Sequence, residues 1–130
     1  MKRPKIMVVE DEWIIANDIK NCLVDLGYMV SSIVATGEEA IEKAGQDVPD
    51  LVLMDIMLKG DINGIEAARV ICEQHNNIPI IYLTAYDNQY LVEQAKQTEN
   101  FGYLLKPFKD RELHIAIDLA LDKARKTKEE

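Results

Sequence analysis

The stretch IMVVEDE, residues 6–12, combines a short apolar run with three consecutive acids. Four apolar residues in a row are typical of a strand that is covered on both faces, as in a parallel sheet. Adjacent like charges repel by roughly 4 kcal/mol for a pair 4 Å apart near a protein surface. The acids at the end of this strand are therefore expected either to cap the helix that follows or to bind a cation.

Four similar apolar runs recur along the chain, and helix-like segments separate them. The runs, rich in Val, Ile, Leu and Tyr, span residues 29–35, 51–54, 78–83 and 103–105. Apolar residues with helical spacing follow each run, at residues 15–26, 40–44, 65–72, 91–95 and 113–124. Parallel strands need long crossovers, and here the crossovers are helices. The pattern predicts an α/β fold, a doubly wound five-stranded parallel sheet with five helices.

The composition is that of an ordinary globular protein. The 130 residues, 48% of them hydrophobic, predict one domain over residues 1–130, with 123–130 as a helix end or a linker. The net charge of −8 argues against nucleic-acid binding and fits either solubility or an acidic site. With no signal peptide or apolar span of membrane length, we expect a cytoplasmic protein that does not bind membranes. Cys22 and Cys72 are expected to be free thiols in a reducing cytosol.

Polar side chains stand where four of the five predicted strands end. They are Glu10 and Asp11 after the first strand, Asp55 after the third, Thr84 after the fourth and Lys106 after the fifth. The second strand ends in residues 35–36 with no strong candidate. In an open α/β sheet, ligands bind outside the carboxyl ends of the strands. These five side chains are therefore expected to converge on one site.

The residue types at these strand ends suit phosphoryl transfer. Clustered carboxylates raise one another's pKa unless a cation binds, and Mg²⁺ prefers carboxylates, waters and a phosphate. A carboxylate can also attack phosphorus and form an acyl phosphate. Lys106 would then neutralise phosphoryl charge and the Thr84 hydroxyl would donate to a phosphoryl oxygen. Positioning and charge neutralisation are most of what phosphoryl transfer needs.

Each of these residues has an ordinary structural interpretation when it is taken alone. Asp11 or Glu12 could cap the first helix, Thr84 could be a turn residue and Lys106 a solvated lysine. Asp55 is harder to explain in that way, because it directly follows a buried apolar run where an unpaired acid is costly. The joint placement at successive strand ends is what makes the pattern specific.

Five segments of the chain carry a resemblance to a known family. They are VVEDE (residues 8–12), DLVLMDIML (50–58), NGIEA (63–67), IPIIYLTA (78–85) and GYLLKPF (102–108). With these motifs the sequence resembles the receiver domain of two-component response regulators, from about residue 5 to residue 123. The resemblance implies a flavodoxin-like fold with strand order 2-1-3-4-5.

The resemblance also implies a function and a metal. Asp55 would accept a phosphoryl group from the phosphohistidine of a sensor histidine kinase or a phosphotransfer protein. Asp11 and Asp55 would bind Mg²⁺, or Mn²⁺ in its place, directly. Glu10 would act mostly through a metal-bound water, and the backbone carbonyl of Met57 would supply another ligand.

The same resemblance implies a switch. Lys106 would contact the phosphoryl group, and its bond to Pro107 would be cis. Thr84 would turn toward the phosphoryl group and Tyr103 would follow inward. The change would reach the face formed by the fourth helix, the fifth strand and the fifth helix, and so control a partner or an output domain. Beyond its own phosphorylation and dephosphorylation, no multiple-turnover enzyme activity is expected.

Ile115 and Leu119 form a second apolar patch on the fifth predicted helix. They could contact the neighbouring helix, or they could form an exposed partner face together with Tyr90. The second interpretation predicts phosphorylation-dependent homodimerisation or partner binding through this face.

Two departures and two alternatives qualify the resemblance. Lys59 stands where many receivers carry proline, and the loop of residues 59–64 is one residue longer. Its Asp-Ile-Asn-Gly sequence lacks the ligand spacing of a calcium-binding EF-hand and predicts a glycine turn before a helix.

A haloacid-dehalogenase-type Mg²⁺ phosphatase would need a second acid where this chain has Met57. A flavodoxin-like cofactor binder would need a Ser-, Thr- or Gly-rich phosphate loop where this chain has acids.

Overall fold

The computed structural model of the chain describes residues 3–75, 78–85, 93 and 101–129. Strands and helices alternate along these residues: β1 (Lys5–Val9), α1 (Trp13–Asp25), β2 (Met29–Val34), α2 (Gly37–Gln46), β3 (Leu51–Asp55), α3 (Gly64–Gln74), β4 (Ile80–Ala85), β5 (Phe101–Lys106) and the C-terminal helix (Asp110–Glu129). The strands form one parallel sheet in the order β2-β1-β3-β4-β5. The predicted sheet and strand order are confirmed.

Five helices were predicted, and the described residues contain four. Of the predicted fourth helix, at residues 91–95, only Glu93 lies within the described residues, where it is helical, and Tyr90 of the predicted partner face lies outside them. The last helix continues through residues 123–129. None of the helices in the described part of the chain combines the length and apolarity that a membrane-spanning helix needs.

Two strand boundaries differ from the prediction in ways that affect the site. β3 includes Asp55 as its last residue, so this carboxylate is held by the sheet itself. β5 covers six residues where only residues 103–105 were predicted, and it pairs with β4 from Phe101 to Lys106. The pairing with a neighbouring strand, which local composition does not reveal, extends the strand and places Lys106 at its end.

The sheet separates two apolar layers, which explains why the strands are apolar throughout. On one face, Met7 and Val9 of β1 pack with α2 and α3; on the other, Ile6 and Val8 pack with α1 and the C-terminal helix. The predicted helical stripes of the four described helices face these layers. The stripe of the last helix is buried only at Leu113 and Ile117, and its later apolar residues are half-buried.

Both cysteines are free and half-buried against these layers, as predicted. Burial, together with the nearby Asp110 carboxylate, raises the pKa of Cys22 to about 11. Cys22 therefore remains a protonated thiol at neutral pH.

Gly27 ends α1 in a left-handed conformation, with φ of +96°. Its amide donates to the carbonyl of Val24, and the amide of Tyr28 donates to the carbonyl of Leu23, each at 3.0 Å. These two hydrogen bonds form a Schellman motif, which satisfies the last carbonyls of the helix and turns the chain into β2. A Cβ at Gly27 would meet no atom within 4 Å, so glycine is needed here for its conformation and not for space.

The Gly27→Ala variant should lower the free energy of unfolding by about 1 kcal/mol, because alanine is strained at positive φ. Gly45→Ala is the matched control, since Gly45 lies in α2 with open space around it and has no positive φ. It should leave the stability unchanged or raise it by up to about 1 kcal/mol. Urea denaturation of the two variants measures both effects. Equal stability of Gly27→Ala and wild type would contradict this account of the turn.

Candidate functional site

The candidate site lies where the central strands end. Glu10 and Asp11 directly follow β1, and Asp55 is the last residue of the neighbouring strand β3. Thr84 lies on β4, one residue beyond Leu83, the residue that pairs with Asp55. Carboxyl ends of parallel strands meet at the same edge of a sheet, so the acids lie at one edge and Thr84 lies on the strand next to Asp55.

The three acids form a compact cluster at this edge. Glu10 is 2% exposed and Asp55 is 6% exposed, while Asp11 is half-buried. Each of the three offers one carboxylate oxygen, and these oxygens all lie within 4.8 Å of one another. Two oxygens bound to one Mg²⁺ at about 2.1 Å lie at most about 4.2 Å apart, so small side-chain movements at most would let these three share one ion. The donor set therefore fits Mg²⁺.

Lys106 reaches this cluster from the edge strand β5. Its Nζ donates to Glu10 Oε1 at 2.8 Å and to Asp55 Oδ2 at 3.1 Å. The side chain thus passes over the end of β4 to bind acids on the two strands beyond it. This arrangement excludes the interpretation of Lys106 as an ordinary solvated lysine.

The charges in the cluster shift one another's ionisation. Burial raises the pKa of Glu10, and Asp55 raises it further, while Lys106 opposes the shift. Burial lowers the pKa of Lys106, but its hydrogen bonds and charge interactions with Glu10 and Asp55 outweigh this effect and hold the pKa above its ordinary value. Lys106 therefore stays charged at neutral pH. One ammonium does not neutralise three carboxylates, so the cluster still favours a cation.

Backbone amides orient two of the carboxylates. Met57 N donates to Asp55 Oδ1 at 3.0 Å, and Glu12 N donates to Glu10 Oε2 at 3.2 Å. Glu12 occupies the N-cap position of α1, yet its side chain makes no capping hydrogen bond. Capping therefore does not account for these acids. The Met57 side chain itself is exposed.

The first residue of α3, Gly64, packs closely against the backbone of Asp55. Asn63 caps the helix in a capping box with Glu66, at 2.9 Å and 3.0 Å, and Gly64 N donates to the Ile56 carbonyl at 2.9 Å. A Cβ at Gly64 would overlap the backbone carbonyl of Asp55. The predicted glycine turn before a helix is present. The contact between Gly64 and Asp55 was not predicted. A glycine just before an apolar helical stripe is nevertheless a sequence signal that two backbone segments approach each other closely.

The remaining predicted residues lie on β4, on or directly after β5, and on the C-terminal helix. Thr84 is 2% exposed, and the peptide bond between Lys106 and Pro107 is cis. Tyr103 is exposed on β5. Ile115 and Leu119 are exposed on the C-terminal helix. Apart from Glu93, the predicted neighbouring helix lies outside the described residues, so both interpretations of this patch stay predictions.

Comparison with known proteins agrees with this geometry. Residues 6–118 match the model of the response regulator receiver domain family. The chain belongs to this family.

Two proteins that are similar in sequence to this chain are regulatory proteins. The chain is 36% identical to the transcriptional regulatory protein PdtaR of Mycobacterium tuberculosis over 93% of its own length and 58% of that protein. It is 34% identical to the alkaline phosphatase synthesis transcriptional regulatory protein PhoP of Bacillus subtilis, over 90% of this chain and 48% of that protein. The chain therefore spans only about half the length of these relatives.

Solved structures resemble the chain over nearly all of its length. The receiver domain of a modulated diguanylate cyclase from Desulfovibrio desulfuricans G20 superposes with a TM-score of 0.88 at 35% identity, covering 95% of this chain and 98% of that one. A CheY-like receiver domain protein from Methanospirillum hungatei JF-1 superposes with a TM-score of 0.88 at 26% identity, covering 97% and 99%.

The raised pKa of Glu10 predicts a pH-dependent stability in Mg²⁺-free solution. The folded protein holds this proton more tightly than the unfolded chain, so the contribution of Glu10 to stability is greatest near its ordinary pKa of 4.5 and is lost as pH rises through the raised value. Glu10→Gln removes the titration. We expect the stability of this variant relative to wild type to be highest at about pH 8 and to decline as pH falls toward 4.5.

Urea denaturation at a series of pH values measures this difference. Glu73→Gln, the same type of change at an exposed position of α3, is the control against which the pH dependence of Glu10→Gln is compared. If the stability of Glu10→Gln relative to wild type rises as the pH falls, the pKa of Glu10 is not raised in the folded protein.

Proposed function

We propose that this chain is a phosphorylation-controlled signalling domain whose phosphoacceptor is Asp55. The observation that carries the proposal is the pair of contacts from Lys106 to Glu10 and Asp55, in a cluster of three acids at the carboxyl edge of the sheet. The cluster holds one nucleophilic carboxylate on a strand, further acids to bind a cation and a lysine to bind phosphoryl oxygens. Membership of the receiver family makes a histidine kinase or a phosphotransfer protein the expected donor.

In the proposed reaction, a carboxylate oxygen of Asp55 attacks the phosphorus of a phosphohistidine. The new phosphorus–oxygen bond forms as the phosphorus–nitrogen bond breaks, and the imidazole of the donor leaves with the electron pair. Glu10, Asp11, Asp55 and the Met57 carbonyl would hold Mg²⁺, which would neutralise charge on the phosphoryl oxygens. β3 and the amide of Met57 hold the Asp55 carboxylate in a fixed orientation for this attack.

Lys106 and Thr84 would stabilise the phosphorylated form. Lys106 keeps its charge and already contacts Asp55, so a small movement would bring its ammonium to a phosphoryl oxygen. The Thr84 hydroxyl, on the strand next to Asp55, would donate to another oxygen. A phosphoryl group adds a charge of about −1.5 to −2, which would draw both groups inward.

The output proposed for this switch is the exposed apolar face of β5 and the C-terminal helix. Tyr103, Leu105, Ile115 and Leu119 are all exposed there. Inward movement of Thr84 would leave space that Tyr103 could enter, and this would change the face. A coupling of about 1–3 kcal/mol between the site and the face is enough to shift a two-state equilibrium.

We further propose that the chain is not a multiple-turnover enzyme and that it acts in the cytoplasm. A phosphatase of the haloacid-dehalogenase type would need an acid two residues after Asp55, and Met57 stands there. No observation favours that alternative. The absence of steady turnover of a phosphomonoester such as p-nitrophenyl phosphate would support this part of the proposal.

Asp55→Asn should abolish phosphorylation by acetyl phosphate, and Asp11→Ala should slow Mg²⁺-dependent phosphorylation by about 100-fold or more, because it removes a proposed metal ligand. Intact-mass spectrometry measures the covalent product. Asp18→Ala, at an exposed position of α1, is the control and should react like wild type. Phosphorylation of the Asp55→Asn variant at the wild-type rate would refute the assignment of the phosphoacceptor.

Addition of beryllofluoride and Mg²⁺ should promote self-association through the exposed apolar face. Light scattering should show a higher mass than without the mimic, and the Ile115→Glu and Leu119→Glu double variant should remain at the lower mass. Val24→Glu, at an exposed apolar position of α1 outside this face, should associate like wild type. A mass that does not respond to the mimic at any protein concentration would contradict dimerisation through this face.

A further inference from the structure

We propose that the start of α2 is a positioning element for the metal-binding loop. Thr36 and Gly37 hold residues 59–62, and through them the backbone of Met57. We call these contacts the α2 clamp, formed by Thr36, Gly37, Lys59, Gly60 and Ile62. The inference rests on the proposed function in one respect, which is that the Met57 carbonyl binds Mg²⁺.

A backbone bridge links the two segments of the clamp. Thr36, two residues after the end of β2, pairs in parallel with Lys59, four residues after the end of β3. β1 lies between β2 and β3 in the sheet, so the chain leaving Asp55 must cross the carboxyl end of β1 to reach Thr36. Glu10 and Asp11 follow that end of β1. The loop therefore crosses the sheet edge that carries the acids, and it is secured on the far side.

Close packing fixes the loop against the first turn of α2. A Cβ at Gly37 would lie 2.8 Å from Ile62 Cγ1 and 3.0 Å from Ala67 Cβ, so only glycine allows Ile62 to pack there. Gly60 has φ of +108°, and a Cβ on it would lie 3.1 Å from Glu38 Oε2. The loop is thus packed against α2 at Gly37, where a Cβ would displace Ile62, while glycine is needed at residue 60 for its positive φ.

Met57 lies between the clamp and the phosphoacceptor. Its amide donates to Asp55 Oδ1, and the bridge at Lys59 restrains the chain two residues further on. No helix or strand includes residues 56–63, so these contacts, rather than a regular ladder, determine where the Met57 carbonyl points. Mg²⁺ demands near-ideal octahedral geometry, so a small displacement of this carbonyl should weaken binding.

The clamp also explains how the loop of this chain is held without proline at residue 59. The side of α2 that contacts the loop is set by Thr36, whose Oγ1 accepts from Glu39 N at 3.1 Å and so caps the helix. The second strand end, which carries no residue of the acid cluster, thereby acts on the site through the loop. Because coupling is reciprocal, Mg²⁺ binding should in turn stabilise the start of α2.

The test compares Gly37→Ala with Gly45→Ala in the same helix. Titration with MgCl₂, followed by amide NMR shifts and by the fluorescence of the single tryptophan Trp13, gives the affinity. Gly37→Ala should weaken Mg²⁺ binding by about 10-fold, the low end of the range for groups that support a metal ligand. Gly45→Ala should bind Mg²⁺ like wild type, because a Cβ there meets nothing within 4 Å.

A double-mutant cycle separates positioning from general destabilisation. Ile62→Ala removes the atoms that a Cβ on Gly37 would meet first. If the clamp acts through this contact, Gly37→Ala should weaken Mg²⁺ binding much less in the Ile62→Ala protein than in wild type. Gly60→Ala, which strains the loop from its own side, should also weaken binding, and it serves as the test if Gly37→Ala does not fold.

Hydrogen exchange supplies a readout that does not depend on phosphorylation. Saturating Mg²⁺ should slow exchange of the Ala40 amide, which donates to the Thr36 carbonyl at 3.1 Å, and this protection should be lost in Gly37→Ala. Wild-type Mg²⁺ affinity in both Gly37→Ala and Gly60→Ala would overturn the clamp and leave the proposed function intact. Absence of Mg²⁺ binding by wild type itself would overturn the proposed function, and the clamp with it.

Discussion

The contact of the Lys106 ammonium with Glu10 and Asp55 is the interaction around which the site is organised. Three carboxyl groups close together at the edge of an apolar core would strongly repel one another when ionised. Lys106 offsets part of this cost at 2.8 Å and 3.1 Å. The remaining negative charge makes the cluster attractive to a divalent cation and, once a cation is bound, to a phosphoryl group.

Backbone proximity matters as much as charge in this structure. Gly64 lets the first turn of α3 approach the carbonyl of Asp55, and Gly37 lets α2 approach the loop that follows it. In both places a methyl group would occupy space that another segment already fills. Asp55 is thus held by a strand, a helix start and a loop, each close enough to transmit a small displacement.

In this member of the receiver family, the acid cluster and the exposed apolar residues occupy different parts of the structure. The acid cluster lies at the carboxyl edge of the sheet, while the exposed apolar residues lie on β5 and the last helix. Lys106 is the last residue of β5, and Tyr103 lies three residues before it on the same strand. In the proposed switch, a change at the cluster would reach the apolar face through one strand, and it would reach α2 through the loop of residues 57–62.

Much of the fold and the site could be predicted from the sequence. Apolar runs alternating with helical stripes predicted the parallel sheet, and acids, a hydroxyl and a lysine after the strands predicted the site, since strand ends are local features. The last apolar stripe was less completely buried than expected, because its later residues lie half-exposed. The extent of β5 and the role of Thr36 were not predicted, because both depend on which segment lies alongside.

The sequence by itself determined the residue types, their order and the helical or extended character of each segment. Only the tertiary structure decided which of them meet. Glu10 and Lys106 are 96 residues apart in the chain, and they touch because the order β2-β1-β3-β4-β5 brings five strand ends to one edge. Thr36 and Lys59 meet because the loop after β3 must cross β1. Such contacts depend on pairing between distant segments, which no local pattern encodes.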